Sequence, residues 1–367
     1  MSNTTTIASS LGLCAGDWVE VRSKEEILST LDSRGQLEQM PFMPEMFVHC
    51  GKRFQVSKRA HKTCDPVNGL QSRRLPTSVH LDNLRCDGAA HGACQAGCLI
   101  FWKEAWLRRA DGPALATAPS HSAPPSAAGA ATSGKAGCSE ADITTGTLAP
   151  GETPDKPDTT YCCQATQVSA ATTPLPWYDP RQYVEDFASG NVSVWQTVCA
   201  LTFFCYHNLA SAGLGIGSTL RWLYDTYQKL IGGSPYPWRI GQVPKGVRTP
   251  VSRLDLQEGE YARVRTYAEI LETLDEDWKN RGLYFDAEMV PYTEGVFKVL
   301  KRVDRIVDEK TGKMLRFKTD ALILENVICQ ARYAKCRKLC PRAYYLYWRE
   351  IWLERAAPDP SAPPKAC

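Results

Sequence analysis

Two stretches of this chain set thiols at a spacing that could hold a metal: Cys86-DGAAHGA-Cys94-QAG-Cys98 and Cys329-QARYAK-Cys336-RKL-Cys340. Each has a lone cysteine followed by a Cys-x3-Cys pair. On a helix such a pair lies on one face, so it can converge with the first cysteine on one locus. Three thiolates at one point suit zinc with a fourth ligand, or an iron–sulfur cluster with one iron left open. The first stretch has nearby candidates for the fourth ligand: His91 lies within it, and His61 and Cys64 stand in AHKTCD. The second has none in its own repeat, since no histidine follows His207. Cys86, His91, Cys94, Cys98, Cys64 and His61 are therefore read as a closed metal site. Cys329, Cys336 and Cys340 are read as an open cofactor site, unless His207 closes it. Buried thiols that merely pack, and redox disulfides, are the competing readings. The spacing is not that of a zinc ribbon or bacterial ferredoxin, which leaves the choice of zinc or iron–sulfur open. Cys340-Pro341 also matches the Cys-Pro pair of haem-regulatory sites.

The elements behind these cysteines come from a duplication. Gly16 matches Gly259, Val21-Arg22 matches Val264-Arg265, and Glu26-Ile27-Leu28 matches Glu269-Ile270-Leu271. In the same ungapped register Phe42, Glu45 and Met46 fall on Phe285, Glu288 and Met289, Cys64 falls on Val307, and Cys86 falls on Cys329. Ser23 with Glu26, and Thr266 with Glu269, are capping boxes that start short helices. Alternating runs such as FQVSKRAHKT and FKVLKRVDRIVD predict strands, with Gly312 in a hairpin turn. Trp102 and Trp106, and Trp348 and Trp352, predict an amphipathic aromatic helix after each cysteine stretch. The predicted fold is α+β: tandem, duplicated, small SH3-like β-barrels, each followed by a cysteine-bearing aromatic helix, with a helical middle segment. The SH3-like topology carries no function with it. GDWVEVRS-EEIL, AHKTCD and CPR-YWREIWLER resemble segments of a bacterial protein family. The resemblance covers both barrels and the middle helices but not the linker, and it implies no activity.

The predicted organisation is a first barrel with its cysteine-rich helix over 14–108, then a disordered Ala/Pro/Ser/Thr linker over 109–160. A helical middle segment follows over 161–233 and a Pro/Gly connector over 234–258. The second barrel with its cysteine-rich helix spans 259–355, and a disordered tail spans 356–367. Asp179 and Pro180 announce a middle helix that Gly190 ends. From Val192 to Leu220 there is no Asp, Glu, Lys or Arg, so a membrane contact through 192–220 competes with a helical hairpin packed on the barrels.

With 367 residues and 43% hydrophobic content the chain can bury a sizeable core. Forty-three basic against 40 acidic residues give a net charge of +3, too small to indicate nucleic acid as a partner. The amino terminus lacks a secretory pattern, so the expected location is cytoplasmic, or membrane-associated through 192–220. Reduced thiols in that compartment favour metal ligation over disulfides for the 15 cysteines. No phosphate loop, dinucleotide fingerprint, nucleophile elbow or HExxH occurs. No catalytic residue is identified. The expected function is a thiolate-ligated metal or iron–sulfur protein, with a redox or biosynthetic enzyme open at the second site as one form of it. The alternatives are a zinc-stapled binding scaffold and a membrane-associated assembly factor.

Overall fold

A computed structural model describes residues 10–65, 67, 71–113, 137–154, 156, 158–334 and 338–358. The duplication is structural. Strand Trp18–Val21 and helix α1 (Lys24–Leu28) recur at the equivalent positions as strand Tyr261–Val264 and helix α7 (Tyr267–Leu271). Between these helices in the chain lie α2 (Glu140–Gly146), α3 (Gln164–Ala171), α4 (Arg181–Ala188), α5 (Val194–Ala210) and α6 (Gly217–Ile231). Both repeat helices carry the reciprocal capping box expected of Ser23/Glu26 and Thr266/Glu269.

The repeats are not barrels. Each is an open five-stranded antiparallel sheet. The first runs Trp102–Lys103, Ser78–Leu81, Arg53–Arg59, Trp18–Val21, Leu107–Arg109, and the second follows the same order from Tyr345–Trp348 to Leu353–Ala356. The outermost strands do not pair with each other. In the first sheet the edge strand contributes only Trp102 and Lys103 to the ladder before a 3-10 turn redirects the chain, too short a run to close a ring.

The aromatic helices are also absent. WKEAWL and WREIWL each form a strand, a 3-10 turn and a second strand. A helix would bury the tryptophans and turn the intervening charges outward. Here Lys103 and Glu104 are as buried as Trp102 and Trp106, which requires consecutive residues to face protein. The Glu104 carboxylate accepts the Leu11, Gly12 and Leu13 amides, and Glu350 accepts those of Leu254 and Leu256. The second tryptophan of each pair donates its indole N–H to a threonine, Trp106 to Thr30 at 3.2 Å and Trp352 to Thr273 at 2.9 Å. Phe42 and Phe285 meet these indoles edge-on at 5.1 and 5.2 Å. The tryptophans are core, not a wall around the cysteines.

The repeats diverge in one hairpin. In the second, Val296–Val307 runs on past a register shift at Val303/Arg305 and pairs with Met314–Ile328. In the first, the chain breaks at Ala60–His61, and Lys62–Asp65 pairs with Gln71–Arg74 in a separate sheet completed by Thr173–Pro174. Either way the hairpin reaches the other repeat. Cys64 is buried in the second repeat's core with Cys329 and Cys340, while its counterpart Val307 packs with Cys94 and Tyr161.

Helix α4 is stapled to the first hairpin. The Lys62 ammonium and the His61 ring, at 3.2 Å, both meet Asp186, and all three groups are buried. The linker expected over 109–160 lies partly outside the described residues, but its later part is packed. Ser139 caps α2, which inserts Cys138 and Ile143 into the first repeat's core. Two anchoring apolar side chains offset the ordering entropy that the composition alone suggested would win. Among the described residues no helix is long and apolar enough to cross a membrane. The uncharged stretch instead forms the α5–α6 hairpin, which leaves Trp195 and Trp222 more than half exposed.

His80, fully buried, donates its Nδ1 proton to the Ile100 carbonyl at 2.9 Å, and burial pushes its pKa from 6.5 to about 3. The folded state therefore binds fewer protons than the unfolded one between these values, and stability falls as pH falls through that window. Urea unfolding at pH 6.5 and 4.5 is expected to show a loss to which His80 contributes about 2 kcal/mol. His80→Gln should flatten the pH dependence by that amount. An unchanged slope in the variant would refute the assignment.

Candidate metal centre

Among the described residues the cysteine stretches are irregular loops rather than helices. Gly88, Gly92 and Gly97 in the first all take positive φ. A Cβ at Gly88 would lie 1.9 Å from the Cys94 carbonyl oxygen, so the tight turn there admits only glycine. That turn also sets His91, whose amide bonds to the Gly88 carbonyl, while Cys86 is pinned by its amide to the Cys98 carbonyl at 2.8 Å.

Across from this loop stands Glu45, in the 3-10 turn Pro44–His49. A carboxylate oxygen of Glu45, the Cys86 sulfur and a ring nitrogen of His91 all lie within 4.8 Å of one another, with Cys86 Sγ and His91 Nε2 at 3.5 Å. Both Glu45 oxygens are shut off from solvent, and among the described residues no nitrogen or oxygen of another residue hydrogen-bonds either, although Glu45's own amide lies near enough to favour the carboxylate. The Cys86 thiol is their neighbour. His91 Nδ1 is likewise buried without a partner. Burial raises the Glu45 pKa, drives the Cys86 thiol far up and pushes His91 down to about 4. A compact O, S, N donor set whose charged forms burial disfavours is one that a divalent cation would favour instead.

The equivalent position in the second repeat has a different use. Glu288 accepts the Tyr333 and Ala334 amides at 2.6 and 3.0 Å and so holds the second cysteine loop by its backbone. The duplication supplied both acids, and only Glu45 is left free of such amides.

The other expected ligands go elsewhere. His61 pairs with Asp186. Cys64 lies beside the Cys340 thiol, a contact that with burial raises the Cys340 pKa, and its carbonyl accepts Arg342 at 3.0 Å. Cys94 accepts the Val307 amide at 3.3 Å. Cys98 is half-buried, its thiol pushed up to about 12 by desolvation, and lies outside the three-ligand cluster. In the second stretch Cys329 and Cys340 are buried, and Cys336 lies outside the described residues. His207 does not close that site; its Nδ1 is 2.6 Å from the Tyr236 hydroxyl. Glu45 is the member of the cluster that the expected ligand set lacked, although its match to Glu288 in the repeat was legible.

The three groups line a cavity of about 500 Å³ between the repeats, together with Cys98, Cys163 and Arg342. Comparison of the chain with protein-family models, curated proteins and solved structures found no match.

The two glutamates should respond oppositely to truncation. Glu288→Ala strands two buried amides and is expected to cost about 1–3 kcal/mol in urea unfolding of the metal-free protein. Glu45→Ala removes a desolvated acid with no other residue's amide to satisfy and should be neutral or stabilising. Equal losses would mean that Glu45 is a structural acid like its counterpart.

Proposed function

We propose that this is a zinc-binding protein whose metal is held by Glu45, Cys86 and His91, with its fourth side open to the cavity between the repeats. The observation that carries this reading is the convergence of three different donor atoms within 4.8 Å around a buried carboxylate that no nitrogen or oxygen of another described residue hydrogen-bonds. Oxygen, thiolate and imidazole together suit zinc, at metal–ligand distances of about 2.0–2.3 Å. With one thiolate among three donors the set is poor for an iron–sulfur cluster, which is held chiefly by cysteines. Three protein ligands facing a cavity make a site that a small molecule can enter, unlike a closed structural zinc site.

A thiolate-rich second locus is supported by a separate observation, the meeting of Cys64 with Cys340 in the core that also holds Cys329. That group draws one thiol from the first repeat and two from the second.

Cobalt(II) titration of anaerobically prepared, metal-free protein tests the first site. In the Cys340→Ser background, which takes the second thiol group out of play, binding should bring a thiolate-to-cobalt charge-transfer band that adding Cys86→Ser abolishes. Glu45→Gln and His91→Ala should each weaken zinc competition by roughly tenfold or more. Folded protein that binds no cobalt, or a band that survives Cys86→Ser in that background, would refute the site.

A further inference from the structure

A second cavity, of about 820 Å³, opens beneath α5 and α6. Its walls are apolar and largely aromatic: Trp195, Val198, Phe203, Leu223, Tyr227 and Ile231 come from the two helices. Several of these are turned away from any core, Trp195 and Tyr227 being 65% and 60% exposed. Two cations lie across from them, Lys58 on the strand Arg53–Arg59 and Arg332 in the second cysteine loop. Among the described residues no acidic side chain lines the cavity.

Lys58 is the informative group. Its ammonium is desolvated enough for burial to lower its pKa, yet among the described residues no carboxylate lies within ion-pair distance of it. The groups whose fields oppose that shift are the Cys340 thiol first, then Asp186 and the Cys329 thiol; the neighbouring Cys64 and burial raise the pKa of Cys340, and Asp186 is already engaged by Lys62 and His61. A desolvated cation that has thiols but no carboxylate beside it, lining a largely apolar space, is half of a recognition pair. The missing half is an anion attached to a long apolar body.

We infer that this cavity binds a long-chain carboxylate, a free fatty acid, with its head group on Lys58 and its chain between α5 and α6. The volume falls in the range of small-molecule sites, roughly 300–1,000 Å³. A peptide would bring polar amides all along its length, and the side chains of Val198, Phe203, Leu223 and Ile231 have no partners for them, although Asn191, Gln196, Thr202, Gln228 and Gln330 lie elsewhere on the lining. A bilayer surface would meet the outer face of the hairpin but would not reach a lysine on the sheet behind it. The site is separate from the proposed zinc centre and does not depend on it.

The test uses full-length, zinc-free protein and a fluorescent long-chain fatty acid displaced by palmitate, by hexadecanol, or by phosphatidylglycerol vesicles. Saturable binding is expected, with palmitate favoured over the neutral alcohol by about tenfold or more. Lys58→Met should erase that preference while Lys58→Arg keeps it, which separates loss of charge from loss of fold. Val198→Trp, at a partly exposed wall position, should weaken both ligands by filling the space. Three outcomes would overturn the inference: no saturable binding, equal affinity of the wild-type protein for acid and alcohol, or displacement by vesicles alone, which would make the hairpin a bilayer contact instead.

Discussion

Each repeat sets strand residues of a hairpin against the cysteine loop of the other, and this exchange helps explain why loops so irregular can be buried at all. Buried backbone without regular structure must find hydrogen-bond partners elsewhere. In the first loop the Gln95 side-chain oxygen accepts the Asp304 and Arg305 amides, and its own amide bonds to the Arg305 carbonyl. In return Arg342 of the second loop bonds to the Cys64 carbonyl, and Arg85 reaches the Ala343 carbonyl while its guanidinium stacks 3.9 Å from the Tyr345 ring. The opposite repeat thus adds to the bonds that each loop makes within its own repeat, such as Cys86 to the Cys98 carbonyl and Glu288 to the Tyr333 and Ala334 amides. The cavity that holds Glu45, Cys86 and His91 exists because the two loops meet there.

From one blueprint the repeats have drawn two local chemistries. Glu288 is consumed in holding its loop, whereas Glu45 faces a thiol and an imidazole. Cys64 meets another thiol across the repeat boundary, whereas Val307, at the matching position, offers Cys94 only its backbone amide. Duplication lets one copy keep the structural contact while the other loses it and gains an unsatisfied donor set. The same divergence separates the sites in charge: Lys58 and Arg332 border the second loop, while the first faces Glu45.

The duplication was legible because identities such as Phe42 with Phe285 fix a register, and the capping boxes because they are local. The helices expected behind the cysteines were not, for two physical reasons. Three glycines with left-handed backbone defeat the i,i+4 geometry of Cys94 and Cys98. The i,i+4 tryptophans are equally well buried by a strand and a 3-10 turn once Glu104 and Lys103 find partners inside. Barrel closure depends on how many residues an edge strand can pair, which composition does not encode. Of the expected first-site ligands Cys86 and His91 do meet. Glu45, which joins them, lies forty residues upstream, and no spacing rule links an acid in one turn to a loop that folds back over it. Cys64 could not be assigned to the opposite repeat from sequence, since nothing local says that a hairpin will leave its own sheet.

If the exchanged hairpins bind the repeats into one unit, neither can open alone. Hydrogen exchange followed by mass spectrometry across a urea series tests this directly. Peptides covering 62–74, 86–101, 304–308 and 338–345 should share a single opening free energy equal to that of global unfolding. Two separated transitions, with the first repeat's peptides exchanging at urea concentrations where the second remains protected, would contradict the account.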